Sequence, residues 1–226
     1  MKINALIFDF DGLLVDTETP QLRAWQKIYR SFGAELFLEE WVQCLGTSAD
    51  AFDPIADLRA KTDTSFDEQA LIAEYKLESS YGIQKEKIRP GIELLLRQAR
   101  QLNLCLAVAS SSNRSWVNTG LERIGAKQYF EIICTSEDVS RVKPDPELFL
   151  LALHRLNLDP EQVIVFEDSP NGIKAAKAAG LVCVAYPNEI SSHLDLSHAD
   201  LIVPHLENHP LSKILHHFES DGFFSA

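Results

Sequence analysis

The sequence predicts an α/β fold, a doubly wound parallel sheet with an all-helical insertion after its first strand. Helical patterns separate a series of short apolar runs, and strands that alternate with helices form parallel sheets with right-handed crossovers. Residues 17–88 interrupt this alternation because they contain no convincing strand. The strand-like runs are residues 3–8, 104–109, 131–134, 163–166 and 181–185, with a weaker run near 201–203.

Glycine, serine and proline mark the ends of helices in the sheet-forming part. Gly91 opens the helix after the insertion, and Gly125 and Gly180 follow two later helices. Ser169 and Pro170 are predicted as N-cap and first helical residue, positions that serine and proline prefer. These signals place helices between successive strands.

The insertion is predicted to contain several helices and to be joined to the rest by two linkers. The helices are expected near residues 18–32, 39–44, 50–60 and 66–80, and the linkers near 14–17 and 82–89. An insertion at this point suits a cap over the edge of the sheet, in which case the linkers are hinges. The alternative is that its helices simply pack on a face of the sheet.

Composition and charge narrow the functional class. The chain has 226 residues, enough for one large domain or for a medium and a small one. Its formal net charge is -12 and neither part is basic, so no nucleic-acid partner is expected. The absence of an apolar stretch of membrane-spanning length, and a start too short in apolar residues for a signal peptide, predict a cytoplasmic enzyme without a membrane partner. We expect a monomer. The four cysteines lack C-x-x-C spacing, so buried free thiols are expected.

Two acids and a glycine directly follow the first apolar run. Asp9, Asp11 and Gly12 form the pattern strand, acid, any residue, acid, glycine. In phosphoryl transfer built on an aspartate nucleophile, the first Asp attacks phosphorus and the second exchanges a proton with the leaving or attacking oxygen. Taken alone, the pattern more often marks an ordinary turn.

Further polar groups follow later strands. Serines from Ser110 to Ser112 end the second apolar run, and Glu167 and Asp168 end a later one. Lys143 lies between them in a proline-flanked loop ahead of a helix. Open α/β sheets bind ligands outside the carboxyl ends of their strands, where these residues are expected to meet. The ordinary interpretations are a helix cap, acids at a helix N-terminus and a surface lysine.

The four segments, in this order and spacing, resemble the haloacid dehalogenase superfamily of phosphotransferases over essentially the whole chain. The run DFDGLLVDTE, residues 9–18, is similar to the branch with a helical cap after the first motif, which contains sugar-phosphate phosphatases and β-phosphoglucomutase. The resemblance implies a doubly wound Rossmann-like parallel sheet core of residues 1–15 and 89–226, with an inserted α-helical cap domain of residues 16–88.

The resemblance also implies the roles of the site residues. Asp9 is the candidate nucleophile, and Asp11 is the candidate proton shuttle, whose help is typically worth about 10²–10⁴-fold. Ser110 is expected to donate to a phosphoryl oxygen, and Lys143 to neutralise charge shared by Asp9 and the phosphoryl group. Further candidate phosphate-binding residues are Gly12, Thr17, Ser111, Ser112, Asn113 and, in the cap, Lys76.

A Mg²⁺ cofactor is expected because a carboxylate nucleophile and a phosphate dianion repel each other. Mg²⁺ takes oxygen ligands and commonly uses one or two carboxylates together with substrate phosphate. The candidate ligands are Asp9, the main-chain carbonyl of Asp11, Asp168 and, through water, Glu167. The expected substrate is a small phosphorylated metabolite, in the first place a sugar phosphate.

Three functions are compatible with these motifs: a phosphatase, a mutase of the β-phosphoglucomutase type, and a non-catalytic phosphate-binding or regulatory module. The mutase is similar but carries a Lys-Gly-x-Ser-Arg stretch in its cap, where residues 45–49 here are Leu-Gly-Thr-Ser-Ala. It also has a histidine where this chain has Gln21. These departures favour water as the final acceptor and therefore a phosphatase. The presence of every motif residue together disfavours the non-catalytic module.

Overall fold

The computed structural model describes residues 2–42 and 52–220. Its centre is a parallel sheet of six strands in the order β3-β2-β1-β4-β5-β6. Every predicted strand is present, with ends within two residues of those expected. The strands are β1 (Ala5–Phe8), β2 (Cys105–Ala109), β3 (Ile132–Cys134), β4 (Val163–Glu167), β5 (Val182–Ala185) and β6 (Leu201–Ile202).

Strand β1 lies in the middle of the sheet, between β2 and β4. All of its residues are buried, which explains its uninterrupted apolar sequence. The chain adds β2 and β3 on one side of β1, and β4, β5 and β6 on the other. The strand order therefore reverses at β1, and at such a point a crevice opens beyond the carboxyl ends of the strands.

The described residues of the insertion, 16–42 and 52–88, form four helices and no strand. They pack around a hydrophobic cluster that includes Trp25, Ile28 and Tyr29. The first and last helices were predicted; the end of the second and the start of the third were predicted within residues 43–51, which lie outside the described residues. The helices are α1 (Glu18–Ser31), α2 (Leu38–Trp41), α3 (Pro54–Lys61) and α4 (Glu68–Lys85).

The two linkers run side by side. Val15 and Ile88 form an antiparallel bridge between them. The prediction that the second linker begins at residue 82 was wrong, because α4 continues to Lys85. Gly82 lies within α4, where a Cβ would come 2.8 Å from Pro20 Cβ of α1. The glycine therefore serves close helix packing.

Five more helices cover both faces of the sheet, as a doubly wound fold requires. One face packs against α5, α6 and α9, and the other against α7 and α8. The hydroxyl of Ser169 accepts the N–H of Gly172 at 3.0 Å, so the predicted N-cap of α8 is confirmed. These helices are α5 (Ile92–Gln101), α6 (Arg114–Arg123), α7 (Glu147–Leu156), α8 (Pro170–Ala178) and α9 (Leu211–Ser220).

The structure bears on two expectations, one about membrane-spanning helices and one about the cysteines. None of the helices formed by residues 2–42 and 52–220 is long and apolar enough to cross a membrane. Cys105, Cys134 and Cys183 are free thiols, and Cys44 lies outside the described residues. Cys134 and Cys183 are buried as expected, but Cys105 is exposed because it is the first residue of β2, where the strand enters the sheet.

Candidate active site

Asp9 lies at the carboxyl end of β1, one residue beyond the strand. Its backbone N–H donates to the carbonyl of Phe166 on β4 at 3.0 Å, so the sheet still fixes its main chain. Only 7% of the residue is exposed. The central strand therefore delivers a nearly buried carboxylate to the crevice at which the strand order reverses.

Lys143 is the cation of the site. Its ammonium donates to Asp9 Oδ1 at 2.5 Å, to Glu167 Oε1 at 2.6 Å and to the carbonyl of Ala109 at 2.7 Å. All three of its protons are thus used. Burial by itself would lower the pKa of Lys143, but the carboxylates of Asp9 and Glu167 raise it above its ordinary value. Lys143 is therefore a lasting positive charge beside Asp9.

Three buried carboxylates lie together here, and Lys143 contacts two of them, Asp9 and Glu167. Asp9, Glu167 and Asp168 each offer one oxygen, and the three oxygens lie within 4.8 Å of one another. Burial raises the pKa of Asp9 well above its usual range; Lys143 opposes the rise, and Glu167 and Asp11 add to it. Burial, followed by the neighbouring acids, also raises the pKa of Asp168. When all three acids are ionised, the cluster carries more negative charge than its lysine neutralises.

Glu167 is held rigidly at the start of α8. Its Oε2 accepts the backbone N–H groups of Asp168 at 3.0 Å and Ser169 at 3.2 Å, and the Ser169 hydroxyl at 3.1 Å. Gly172 leaves room for the carboxyl group, since a Cβ there would lie 1.9 Å from Glu167 Cδ. With Lys143 on its other oxygen, Glu167 has protein donors on both sides.

Gly12 and Asn188 hold Asp168. Gly12 has φ +80, and a Cβ there would lie 2.3 Å from Asp168 Oδ2, so only glycine fits. The N–H of Gly12 donates to the carbonyl of Val15 at 2.8 Å, which leaves it engaged in the turn instead of facing a phosphate. Asn188 Nδ2 donates to Asp168 Oδ2 at 2.9 Å and to Glu18 Oε2 at 2.8 Å.

The serines after β2 do not act alike. Ser110 is buried, and its hydroxyl accepts the N–H of Ser112 at 3.0 Å. Ser111 is exposed and lines the cleft. The hydroxyl of Ser112 donates to Asp11 Oδ2 at 2.6 Å. Ser112 thus contacts the candidate proton shuttle, a role that the sequence did not predict.

Like Gly12, two other predicted phosphate-binding residues are not among the described residues that line the cleft. Asn113 is the N-cap of α6, where its Oδ1 accepts the N–H of Trp116 at 2.9 Å, and this bond commits its side chain to the helix start. Lys76 is exposed on α4, and sequence position alone does not tell which way a helical side chain points.

A cleft of about 430 Å³ opens above the carboxylates. The sheet-forming part contributes the acids, the serines and the lysine, while the helical insertion contributes residues from the start of α1. The lining residues are Asp9, Asp11, Thr17, Glu18, Gln21, Ser110, Ser111, Ser112, Trp116, Lys143, Ser169 and Asn171.

Sequence reasoning missed four side chains of the site. Glu18 ends the first motif, so its position was visible, but not its burial, which raises its pKa from 4.5 to about 7. Trp116 donates from α6 to Asp11 Oδ1 at 2.8 Å. Arg89 donates to the carbonyl of Gly12 at 2.7 Å. Nothing in the sequence marked Trp116, Arg89 or Asn188, because their partners are distant along the chain.

An open sheet whose reversal point holds a buried acid cluster and a lysine defines an enzyme of the Rossmann-like α/β class. The family model for haloacid dehalogenase-like hydrolases matches residues 6–186, which include all four polar segments. The chain belongs to this family and is a phosphatase within it.

Two relatives and one solved structure illustrate the likeness. YhcW of Bacillus subtilis (strain 168) is 38% identical over 97% of this chain and 100% of its own. The phosphorylated carbohydrates phosphatase of Thermotoga maritima is 32% identical over 79% of this chain and 82% of its own. The crystal structure of CbbY from Rhodobacter sphaeroides in complex with phosphate has a TM-score of 0.70 and 30% identity, covering 93% of this chain and 98% of that one.

Proposed function

We propose that the protein is a Mg²⁺-dependent phosphomonoester hydrolase that acts on a sugar phosphate or a similar small phosphorylated metabolite through an aspartyl-phosphate intermediate. The observation that carries the proposal is the buried, unbalanced cluster of Asp9, Glu167, Asp168 and Lys143 beneath an open cleft. Buried charges are normally paired, and an uncompensated excess is costly to a fold. Its position at the reversal point of the sheet is where a ligand is expected.

Asp9 is the proposed nucleophile and Asp11 the proton shuttle. First, an Asp9 oxygen bonds to phosphorus, the bond from phosphorus to the ester oxygen breaks, and that oxygen takes a proton from Asp11. Asp11 then takes a proton from a water whose oxygen bonds to phosphorus, while the bond between Asp9 and phosphorus breaks. The products are an alcohol and inorganic phosphate.

Lys143 and Ser110 serve the transferring phosphoryl group. The ammonium of Lys143 offsets charge on Asp9 and on the equatorial oxygens. Because the hydroxyl of Ser110 already accepts the N–H of Ser112, its own proton is available to a phosphoryl oxygen. Ser111 and Thr17 line the same cleft and offer further hydroxyl donors.

The residues present fit Mg²⁺, a cation that prefers oxygen ligands. Asp9, Asp168 and the main-chain carbonyl of Asp11 are the proposed direct ligands. Glu167, whose oxygens both accept protein donors, acts through water. When bound, the metal supplies the positive charge that lets a phosphate dianion approach a carboxylate.

The helical insertion is the proposed cap, residues 16–88, above a core of residues 1–15 and 89–226. Its first helix contributes Glu18 and Gln21 to the cleft, so the insertion shapes the substrate site. The bridged linkers are the proposed hinges.

Hydrolysis is favoured over mutase activity by the charges around the cleft. Among its described lining residues, Lys143 is the one lysine or arginine, and its protons are used. Residues 43–51 contain neither residue type. Gln21 is engaged as well, since Nε2 donates to the Thr17 carbonyl and Oε1 accepts the Tyr75 hydroxyl. A second phosphate, which a mutase must hold, therefore has no further cationic partner among the described lining residues.

A panel of sugar phosphates and other phosphomonoesters tests the proposal. We expect release of inorganic phosphate that stops in excess chelator and returns with Mg²⁺. β-Glucose 1-phosphate with a trace of its bisphosphate should lose phosphate without isomerisation. Formation of glucose 6-phosphate faster than phosphate release from any panel member supports the mutase instead. Binding of phosphomonoesters without turnover supports the non-catalytic module.

A further inference from the structure

Trp116 makes a contact that packing does not explain. It lies in the first turn of α6 with 38% of its surface exposed. Its indole N–H donates to Asp11 Oδ1 at 2.8 Å. An indole this exposed has water available as a hydrogen-bond partner, so the fold does not require this bond. The N–H is nevertheless directed at a carboxylate that lines the cleft.

The carboxylate of Asp11 is held at both of its oxygens. Trp116 donates to Oδ1, and the Ser112 hydroxyl donates to Oδ2 at 2.6 Å. The two donors approach from the start of α6, and together they fix the plane of the carboxyl group. An indole N–H only donates, so this bond cannot reverse when the protonation of Asp11 changes. Each carboxylate oxygen keeps a lone pair for another partner.

The ring of Trp116 also separates two spaces. It lines the cleft and a neighbouring cavity of about 110 Å³, and Thr17 lines both as well. A wall between two cavities requires the aromatic ring but not its N–H. The two possible functions of Trp116, wall and donor, can therefore be separated by a substitution that keeps a ring.

We propose that Trp116 is a positioning residue for Asp11: its N–H holds the carboxyl group where it can give a proton to the leaving oxygen and later take one from water. The proposal rests on the function of Asp11 proposed above. A misplacement of about 1 Å in an active site can cost about 10²-fold in rate. Loss of the indole N–H should accordingly cost about 10–100-fold when the leaving group needs that proton.

The test compares two substrates of Trp116→Phe. One is a sugar phosphate that the panel identifies, whose alkoxide needs a proton; the other is p-nitrophenyl phosphate, whose phenolate leaves without one. The ratio kcat/KM reports the steps up to alcohol release and excludes hydrolysis of the phosphoenzyme. We expect it to fall about 10–100-fold for the sugar phosphate and less than about 3-fold for p-nitrophenyl phosphate.

Four further variants make the result decisive. Ser112→Ala removes the other donor, and its loss should be larger on the sugar phosphate than on p-nitrophenyl phosphate, even if Trp116→Phe fails to fold. The losses in the double variant should not add, because both donors act on one carboxylate. Trp25→Phe makes the same change within the helical insertion and should leave the ratio between the two substrates unchanged. Asp11→Asn should lose activity selectively on the sugar phosphate.

The outcomes separate this inference from the proposed function. Equal losses on both substrates in Trp116→Phe and Ser112→Ala, with a selective loss in Asp11→Asn, overturn the positioning role and leave the proposed function intact. If Asp11→Asn shows no selectivity, or the unaltered enzyme releases no phosphate, the proposed function fails and this inference fails with it.

Discussion

Two clusters of charged side chains lie beyond the carboxyl ends of strands of the same sheet, and their charges are balanced in opposite ways. After β3, Asp138 accepts hydrogen bonds from Arg114 and Arg155, so one acid meets two arginines. After β1 and β4, three carboxylates lie together and Lys143 pairs with two of them. The first cluster is satisfied by the protein alone, whereas the second retains excess negative charge.

The pKa values follow this difference. Burial would raise the pKa of Asp138, but the N–H of Thr135 and the guanidinium of Arg155 lower it to about 2. Burial and acidic neighbours instead raise the pKa of Asp9 and Asp168, against the pull of nearby cations. Charge imbalance therefore distinguishes the candidate site from a structural ion cluster more clearly than burial does. The following substitutions test this comparison.

Asp9→Asn should have the largest effect on activity. Because the amide cannot attack phosphorus, kcat should fall on the order of 10⁴-fold or more. The free energy of unfolding should not fall, since burial disfavours the charge that the substitution removes. Phosphate release and urea unfolding at pH 7 measure both. Substantial remaining activity would exclude Asp9 as the nucleophile.

Lys143→Met should cause the largest loss of stability. It leaves the carboxylates of Asp9 and Glu167 without their shared cation, and removing one partner of a buried ion pair costs about 3–5 kcal/mol. The control Lys177→Met breaks the more exposed pair with Asp200 and should cost about 1 kcal/mol or less. Urea unfolding in chelator measures both; equal effects would contradict the account.

Asp138→Asn should lower stability and leave activity nearly unchanged, which is the reverse of what is expected for Asp9→Asn. Stability at pH 7 should fall by about 2 kcal/mol, while kcat changes less than about 3-fold. The folded-state pKa of Asp138 is depressed to about 2. Its stabilising contribution is therefore present above the ordinary aspartate pKa and is lost as the pH falls through about 2. Unfolding from pH 7 down to pH 2 should show the two proteins converging; a constant difference would rule out the charge as its cause.

Glu18→Gln should have the smallest effect. At high pH it should raise the free energy of unfolding instead of lowering it. Burial raises the pKa of Glu18 to about 7, so its favourable contribution is complete below about 4.5 and is lost as the pH rises through about 7. Glutamine can still accept from Asn188. In chelator, the variant should be about 1–2 kcal/mol more stable than the unaltered protein at pH 8 and no more stable at pH 5. A gain of equal size at both values would contradict the assignment.

The sequence predicted the sheet and its acids because short local sequence patterns indicate both. Strand β1 is buried on both faces and therefore reads as one apolar run, and Asp9 follows it directly. Asp168 likewise follows β4. The carboxyl ends of parallel strands meet at one edge of a sheet, so strand assignment alone brought these acids together.

The rest depends on contacts between distant residues and on side-chain direction. Trp116 meets Asp11 across 105 positions, and Asn188 meets Glu18 across 170. A local sequence pattern does not reveal such contacts between distant residues. Lys76 is not among the described residues that line the cleft, and placing a residue on a helix does not say whether its side chain faces the cleft.

The central claim is that the unbalanced cluster serves attack on phosphorus by Asp9, and trapping the phosphoenzyme tests it most directly. The enzyme is quenched during turnover of an accepted substrate with Mg²⁺, reduced with borohydride, which converts an aspartyl phosphate to homoserine, and mapped by mass spectrometry. We predict homoserine at residue 9 and at no other aspartate. A phosphoryl group on Ser110, Ser111 or a histidine, with residue 9 unmodified, would contradict the account.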